Sequence, residues 1–419
     1  MDYLLNKFFE MERWEKGITD AVEKGIHKNC LTKLCDPHIR VEMLRRIAAG
    51  AYDIAPPHQQ KIPKDNGDFR IVYINEDVDR VFLNIVNNLF FEEFSDMIHP
   101  SCKSYQSGIG CGKIVKEVSY HVAHAAGPVI GWKSDLSKYF DSVPIEIIDQ
   151  VFNTIEARVG TSVIIDVLRK YYHSDLCFDV DGNLTEHYQS LKQGCPVAAF
   201  LANVVLYEMD EILSNMDAFY VRYSDDCLFI GGNYDMAMDC MKHILSQYHL
   251  TLNPKKIEYL AADRWFKFLG FNIKGTSITL SKSRVKSFQK EVEDRTIKSN
   301  YKTMQGAVNA VQRYLYKGDD NYSWATSVLP VINVKKDIDT LNIFVLDCIR
   351  AVGRNKRRVG GLGSVMDQEN RTILRGTGRN VTANRKNTPQ KIEGYYSIRC
   401  MQNAILTNRA LYDTLTRMM

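Results

Sequence analysis

Residues 218–221 (AFYV) and 227–230 (CLFI) are short aromatic and aliphatic runs, the second closed by Gly231 and Gly232. Between them, Tyr223 and Ser224 lead into the adjacent Asp225 and Asp226. Runs of this composition bounded by glycine predict a buried β-hairpin with two carboxylates at its bend. A third apolar run, residues 129–132, predicts a strand leading to Asp135, with Phe140 and Asp141 following. Between these stretches lies LKQGCPVAAFLANVVLYEMD (residues 191–210), which reads as a glycine turn running into a helix with Asn203 inside it. Further along, residues 280–350 place basic and apolar positions at helical spacing, as in SRVKSFQKEVEDRTIKSN. Residues 1–55 are also expected to be helical, and YYSIRCMQNAILTNRALYDTL (residues 395–415) predicts an amphipathic helix.

An Asp-rich bend is often a solvent-facing turn, and an Asp at a strand end often caps a helix. The apolar flanks here argue for burial instead, where two like charges side by side call for a cation. Carboxylate oxygens suit Mg²⁺, which is usually held by one or two carboxylates with substrate phosphates and water completing its shell. Asp135 supplies a third carboxylate from another strand. Phosphoryl transfer with two metal ions needs such groups on rigid elements, gripping ions roughly 3.5 to 4 Å apart.

In this order the three stretches resemble motifs A, B and C of reverse transcriptases, and the hairpin has the Tyr-x-Asp-Asp form. WFKFLGFNI (residues 265–273), after LTLNPKKIEYL, resembles their primer grip. Upstream, IPKDNGDFRIVYINEDVDRVFLNIVNNLF, from Ile62, resembles the fingers of bacterial group II intron and retron enzymes. The resemblance covers about residues 60–275. It implies an α+β right-hand polymerase, with a palm of antiparallel sheet backed by helices and a helical thumb. The expected domains are an N-terminal helical extension (1–60), fingers (61–125), palm with finger insertions (126–275), thumb (276–350) and a basic C-terminal RNA-binding extension (351–419).

Carried over residue by residue, the resemblance makes Asp135, Asp225 and Asp226 the catalytic carboxylates and ligands of two Mg²⁺ ions. Phe140 matches the bulky residue beside the sugar of the incoming nucleotide, where an aromatic ring excludes a 2′-hydroxyl and so implies deoxynucleotides. Arg70, with Lys64, matches fingers cations facing the triphosphate, and Gln193 with Gly194 opens the helix beside nucleotide and template. Lys256 matches a lysine that acts as the acid toward the pyrophosphate leaving group. A solvated Lys255–Lys256 pair is the plainer reading of that position.

Two departures refine the subtype. Ala198 and Ala199 stand where Ser-Pro is common, and SYQSGIGCGK (residues 104–113) replaces the usual Gly-Phe-Arg-x-Gly, so no arginine carries over there. Both point toward the defence-associated bacterial reverse transcriptases, and the compact length toward their type 2 systems. That relation implies a partner noncoding RNA copied into cDNA, in antiphage defence. Two other classes share part of the pattern. An RNA-dependent RNA polymerase has similar carboxylates, but Phe140 and the Tyr-x-Asp-Asp hairpin weigh against it. A maturase-like RNA scaffold without synthesis would not need three clustered acids.

Composition adds two points. The ten cysteines form no Cys-x-x-Cys pair, and the closest, Cys30 and Cys35, lack histidines at zinc-knuckle spacing. They read as reduced cysteines of a cytoplasmic protein, and no apolar run is long enough to span a bilayer. The net charge is only +4, yet residues 350–399 hold twelve Lys or Arg against three acids, about +9, while residues 1–349 sum to about −6. Arg354, Arg357, Arg358, Arg371, Arg375, Arg379 and Arg385 lie in this glycine-interspersed stretch, which is expected to bind RNA phosphate.

Overall fold

The segment Gly131–Asp135 is almost wholly buried because it has a partner strand on each side. The structure is a computed structural model that describes residues 2–23, 36–64, 68–187, 189–318, 322–353, 373–374, 380–381 and 392–419. Its chain divides into two units, Met1–Ile109 with Pro128–Ala262, and Gly110–Gly127 with Asp263–Met419.

The first unit contains strands β1 (His58–Pro63), β2 (Phe69–Ile74), β3 (Gly131–Asp135), β4 (Leu176–Phe178), β5 (Leu184–Glu186), β6 (Phe219–Tyr223), β7 (Asp226–Ile230) and β8 (Glu258–Leu260). One sheet has the order β6-β7-β3-β8, with every pairing antiparallel. The other has the order β2-β1-β4-β5, antiparallel except for the parallel β1–β4 contact at His58 and Phe178. The helix Tyr234–Gln247 packs on β3 and β7, and the helix Tyr207–Ser214 on β6. The expected α+β class, an antiparallel sheet backed by helices, is therefore the one observed.

Trp132 and Phe229 come from facing strands and stack with centroids 5.4 Å apart, and the indole N–H donates to the Tyr234 carbonyl at 2.8 Å. Two large rings can meet there because Gly131 lets the strands close. It has φ 151°, and a Cβ would stand 2.0 Å from the Phe229 carbonyl oxygen. The N-terminal helices Tyr3–Phe8, Met11–Glu23 and Pro37–Ala48 are described as expected. Phe8 packs against Trp14 and Phe82, which joins the first helices to Asp77–Glu93.

The second unit holds the helix Cys111–Ala123 and a three-stranded antiparallel sheet of β9 (Phe266–Phe268), β10 (Phe271–Lys274) and β11 (Ser277–Leu280). Ser119 Oγ donates to the Gly275 carbonyl at 2.8 Å, tying that helix to the β10–β11 turn. Helices Lys282–Arg295, Met304–Gln312 and Lys335–Val352 follow, as the helical spacing predicts. The amphipathic helix expected over residues 395–415 is instead two helices, Ile398–Thr407 and Arg409–Arg417. The break is at Asn408, whose extended backbone ends the first while its side chain accepts from Leu411 N–H to cap the second. This end is fastened to the unit. Gln402 donates to the Leu329 and Ile332 carbonyls, Asn342 accepts from Ile398 N–H, and Tyr412 donates to the Tyr316 carbonyl. Among the described residues no helix is long and apolar enough to cross a membrane.

A fully buried ion pair binds the first unit's hairpin to its helices. The Arg222 guanidinium on β6 donates to both oxygens of Asp210, at 2.6 to 3.1 Å, and to the carbonyls of Ala202, Asn203 and Ser224 at 3.3, 2.9 and 3.2 Å. Asp210 also accepts the Tyr220 hydroxyl at 2.9 Å. Removing one partner strands the other charge in the core, so Arg222→Met should cost about 3–5 kcal/mol in urea unfolding. The double variant Arg222→Met/Asp210→Leu, with no orphaned charge, should unfold at a higher urea midpoint than the single variant.

Candidate active site

The site is assembled by strand register. Asp135 ends β3 and Asp226 begins β7, and the two are directly paired across the sheet. Tyr223 pairs with Asp226, leaving Ser224 and Asp225 as a two-residue turn. Ser224 takes a left-handed backbone, φ 59°, and Leu136 N–H donates to the Asp225 carbonyl at 3.1 Å. Asp135 on β3 and the adjacent Asp225 and Asp226 of the hairpin, far from Asp135 in sequence, are thus brought to where two strands meet.

Convergence costs electrostatic energy, and the titration of the groups reflects it. Burial, then repulsion by Asp135, pushes the Asp225 carboxyl above the usual carboxylate range. Asp226 rises to about 6, first through burial and then through Asp225 and Asp135. Lys256 relieves part of this, its Nζ donating to Asp135 Oδ2 at 2.6 Å. The lysine is held in place by the turn Pro254–Lys256. Asn253 N–H donates to the Asp135 carbonyl at 2.9 Å, and Asn253 Oδ1 accepts from Lys255 N–H at 3.2 Å. Both lysines are exposed, and Lys256 differs from Lys255 in that its ammonium also meets Asp135.

Among the described residues, no three His, Cys, Asp or Glu side chains are already gathered as one ligand set. The chemistry of the three aspartates nevertheless fits a hard divalent cation. They offer only oxygen, Asp135 and Asp226 stand on paired strands with Asp225 in the adjoining turn, and the crowding raises the energy of their charged forms, which a cation between them would lower.

Phe140 follows Lys138, which takes a left-handed backbone (φ 47°), in the short helix Tyr139–Ser142. The neighbouring Tyr139 hydroxyl donates to the Ala202 carbonyl at 2.8 Å and fastens this helix to the next motif. The Phe140 ring meets Tyr105 edge-on at 6.5 Å and Tyr139 at 5.7 Å. Gln193 accepts from Tyr73 N–H through its carbonyl at 2.7 Å, which joins the glycine turn to β2. Gly194 is required there, with φ 110° and room for a Cβ only 2.7 Å from the Tyr73 carbonyl oxygen. Just before it, the buried Lys192 donates to the Tyr171 and Ser174 carbonyls at 2.8 and 2.9 Å, ending the helix Val163–His173. Burial pushes Lys192 down to about 8.

Arg70 lies on β2 opposite Ile62, and its charge acts on both Asp225 and Tyr105. Lys64 stands exposed at the end of β1, where its N–H donates to the Asp68 carbonyl at 2.7 Å. Among the described residues it makes no ion pair with the aspartates. Arg354, Arg357, Arg358, Arg371, Arg375, Arg379 and Arg385 lie outside the described residues.

Sequence reading passed over Arg222, Lys192 and Tyr105. Arg222 was visible inside the hairpin, and Tyr105 inside SYQSGIGCGK, a stretch noted only for its missing arginine. No periodicity marks either one.

Residues 62–273, about half of the chain, match the family "Reverse transcriptase (RNA-dependent DNA polymerase)". No curated protein matches the sequence. Among solved structures, apo telomerase from Candida tropicalis is similar at a TM-score of 0.44 and 13% identity, covering 72% of this chain and 58% of that one. Telomerase from Candida albicans in complex with the TWJ fragment of telomeric RNA is similar at 0.42 and 11%, covering 77% and 66%. The Candida tropicalis complex with the TWJ fragment gives 0.46 and 14%, covering 79% and 57%. The chain thus spans 57 to 66% of the length of these telomerases.

The glycine turn generates one stability prediction. Gly194→Ala adds a methyl against the Tyr73 carbonyl at a backbone conformation that suits glycine, and should cost about 1–3 kcal/mol. Gly182→Ala, also at positive φ (85°) but open around its Cβ, should cost less. Thermal unfolding of the two variants side by side measures the part due to the close approach.

Proposed function

This chain belongs to the reverse transcriptase family, and we propose that it copies a dedicated noncoding RNA into cDNA in the cytoplasm of a bacterium, as part of defence against phage. The observation that carries the synthetic activity is the register pairing of Asp135 with Asp226, with Asp225 in the adjoining turn and Lys256 bonded to Asp135.

Asp135, Asp225 and Asp226 are the residues that would hold two Mg²⁺ ions, which when bound stabilise charge on the attacking and leaving phosphoryl oxygens. The chain's own groups do the rest. Arg70 faces the triphosphate and offsets its charge, with Lys64 as a second cation at the end of β1. Phe140 fills the space a 2′-hydroxyl would need, which selects deoxynucleotides. Gln193 sits on a turn locked to β2, so it presents a fixed surface to nucleotide and template. Lys256 Nζ carries a proton within reach of the carboxylate cluster and gives it to the pyrophosphate oxygen as the bond to the leaving group breaks. A lysine with an exposed side chain regains that proton from water.

The defence role is supported by the departures from intron and retron patterns at residues 104–113 and at Ala198 and Ala199. Template choice is assigned to the basic residues 350–399. The acidic balance of residues 1–349 leaves that segment as the strongest phosphate-neutralising part of the chain. Arginine there can pair with phosphate and stack on unpaired bases.

Asp225→Asn with Asp226→Asn should abolish primer extension and leave RNA binding within about twofold. Extension by that variant at the wild-type rate would overturn the assignment. Phe140→Ala should admit ribonucleotides, measured as the ratio of kcat/KM for each dNTP and its rNTP, and a variant still fully selective removes the gate.

A second test concerns the arginines. Replacing Arg357, Arg358, Arg375 and Arg379 with Ala should weaken binding of the copurifying RNA and flatten its salt dependence. Extension of a generic annealed primer should stay near wild type. Normal RNA binding with failed generic extension would instead assign the segment to holding the duplex.

A further inference from the structure

Tyr105 stands in a left-handed backbone, φ 58°, a conformation that strains a bulky side chain and persists only where its surroundings impose it. The surroundings here are explicit. Lys103 N–H donates to the Arg222 carbonyl at 2.9 Å, and Arg222 N–H to the Ser101 carbonyl at 2.9 Å, so residues 101–103 run alongside β6. Ser104 is clamped from both sides by Asn203, through its hydroxyl at 2.6 Å and its carbonyl at 2.7 Å. Gln106 Nε2 donates to the Cys102 carbonyl at 2.6 Å and closes the turn.

The strain delivers the tyrosine to a specific place. Its hydroxyl is 3.0 Å from Ser224 Oγ, in the very turn that carries Asp225, and its ring lies tilted against Tyr223 at 6.4 Å. The same ring meets Phe140 edge-on at 6.5 Å and an interplanar angle of 87°, the favoured geometry for an aromatic pair. Despite these contacts the residue is 43% exposed, so it serves the hydrophobic core little.

We propose that Tyr105 is a positioning residue that joins the ring of Phe140 to the Tyr-x-Asp-Asp turn, and so sets how strictly the enzyme rejects ribonucleotides. The inference rests on the reading of Phe140 as the sugar gate. A gate works only if it resists displacement. Phe140 sits on a four-residue helix, and Tyr105 meets its ring from another part of the chain. Because Tyr105 also grips Ser224, the gate and the carboxylates move as one body, and a nucleotide that displaces the gate also disturbs the turn. Ring and hydroxyl have separable effects. The ring governs sugar choice, while the hydroxyl steadies the turn and therefore the rate.

The experiment is single-nucleotide extension of an annealed primer by the full chain, with kcat and KM measured for a dNTP and its rNTP. Tyr105→Gly removes the side chain while easing the left-handed backbone, so it is the deletion best able to fold. Its discrimination, the ratio of kcat/KM values, should fall about tenfold. Tyr105→Phe should restore discrimination to within about twofold of wild type while kcat for the dNTP stays about fivefold low and its KM is unchanged. Wild-type discrimination in Tyr105→Gly, alongside lost discrimination in Phe140→Ala, would overturn the role of Tyr105 and leave the gate standing. Unchanged discrimination in Phe140→Ala would overturn the gate reading, and this inference with it.

Discussion

One guanidinium holds together the parts of the first unit that must be in register. Arg222 is fully buried, and its donors are distributed over Asp210, two carbonyls at the end of the helix Ala198–Val204 and the carbonyl of Ser224 in the hairpin turn. A buried charge is tolerable only when its hydrogen bonds are satisfied together, so each of these segments has one position relative to the others. Asn203, whose carbonyl meets the guanidinium, uses its side chain to hold Ser104. The hairpin, the helix after the glycine turn and the 101–105 segment thus share one polar network inside an apolar core. Such a network specifies geometry more than it adds stability, and geometry is what a carboxylate cluster at a strand crossing requires.

Around the aspartates the balance runs the other way. Asp225 and Asp226 are both pushed upward in pKa by burial and by neighbouring carboxylates, which is local destabilisation retained by the fold. The sheet imposes this cost through backbone pairing, since Asp135 and Asp226 are opposite one another whatever their side chains prefer. Lys256 relieves one carboxylate from a turn whose backbone is bonded to Asp135 itself. The result is a set of oxygens ready to receive positive charge, which distinguishes a phosphoryl-transfer site from a solvated acidic turn.

The left-handed residues Tyr105, Lys138, Lys192 and Ser224 cluster in the segments that bear on this site. Each takes a backbone conformation that residues other than glycine rarely adopt. Strain of this kind is sustained by the surrounding hydrogen bonds. It explains why the loops near the aspartates are tied to helix ends and neighbouring strands.

Local pattern carried much of the reading. Two apolar runs, the second closed by glycines, were enough to announce the hairpin and its paired acids, and helical spacing announced the helices of residues 280–350. The order of Asp135, the glycine turn and the hairpin pointed to the reverse transcriptase family before any contact was known. These features are legible because strand and helix periods and turn residues act over a few neighbours. The single helix expected over residues 395–415 failed for the same reason, since periodicity continues across Asn408 while the backbone does not. What only the tertiary structure decided is which residues meet across long separations. Examples are the pairing of Asp135 with Asp226, the bond from Lys256 to Asp135, the burial of Arg222 against Asp210, and Tyr105 placed between Phe140 and Ser224. An arginine in a strand or a tyrosine in a loop looks the same in sequence whether exposed or enclosed. Its role is set by the dielectric and the partners that packing brings to it.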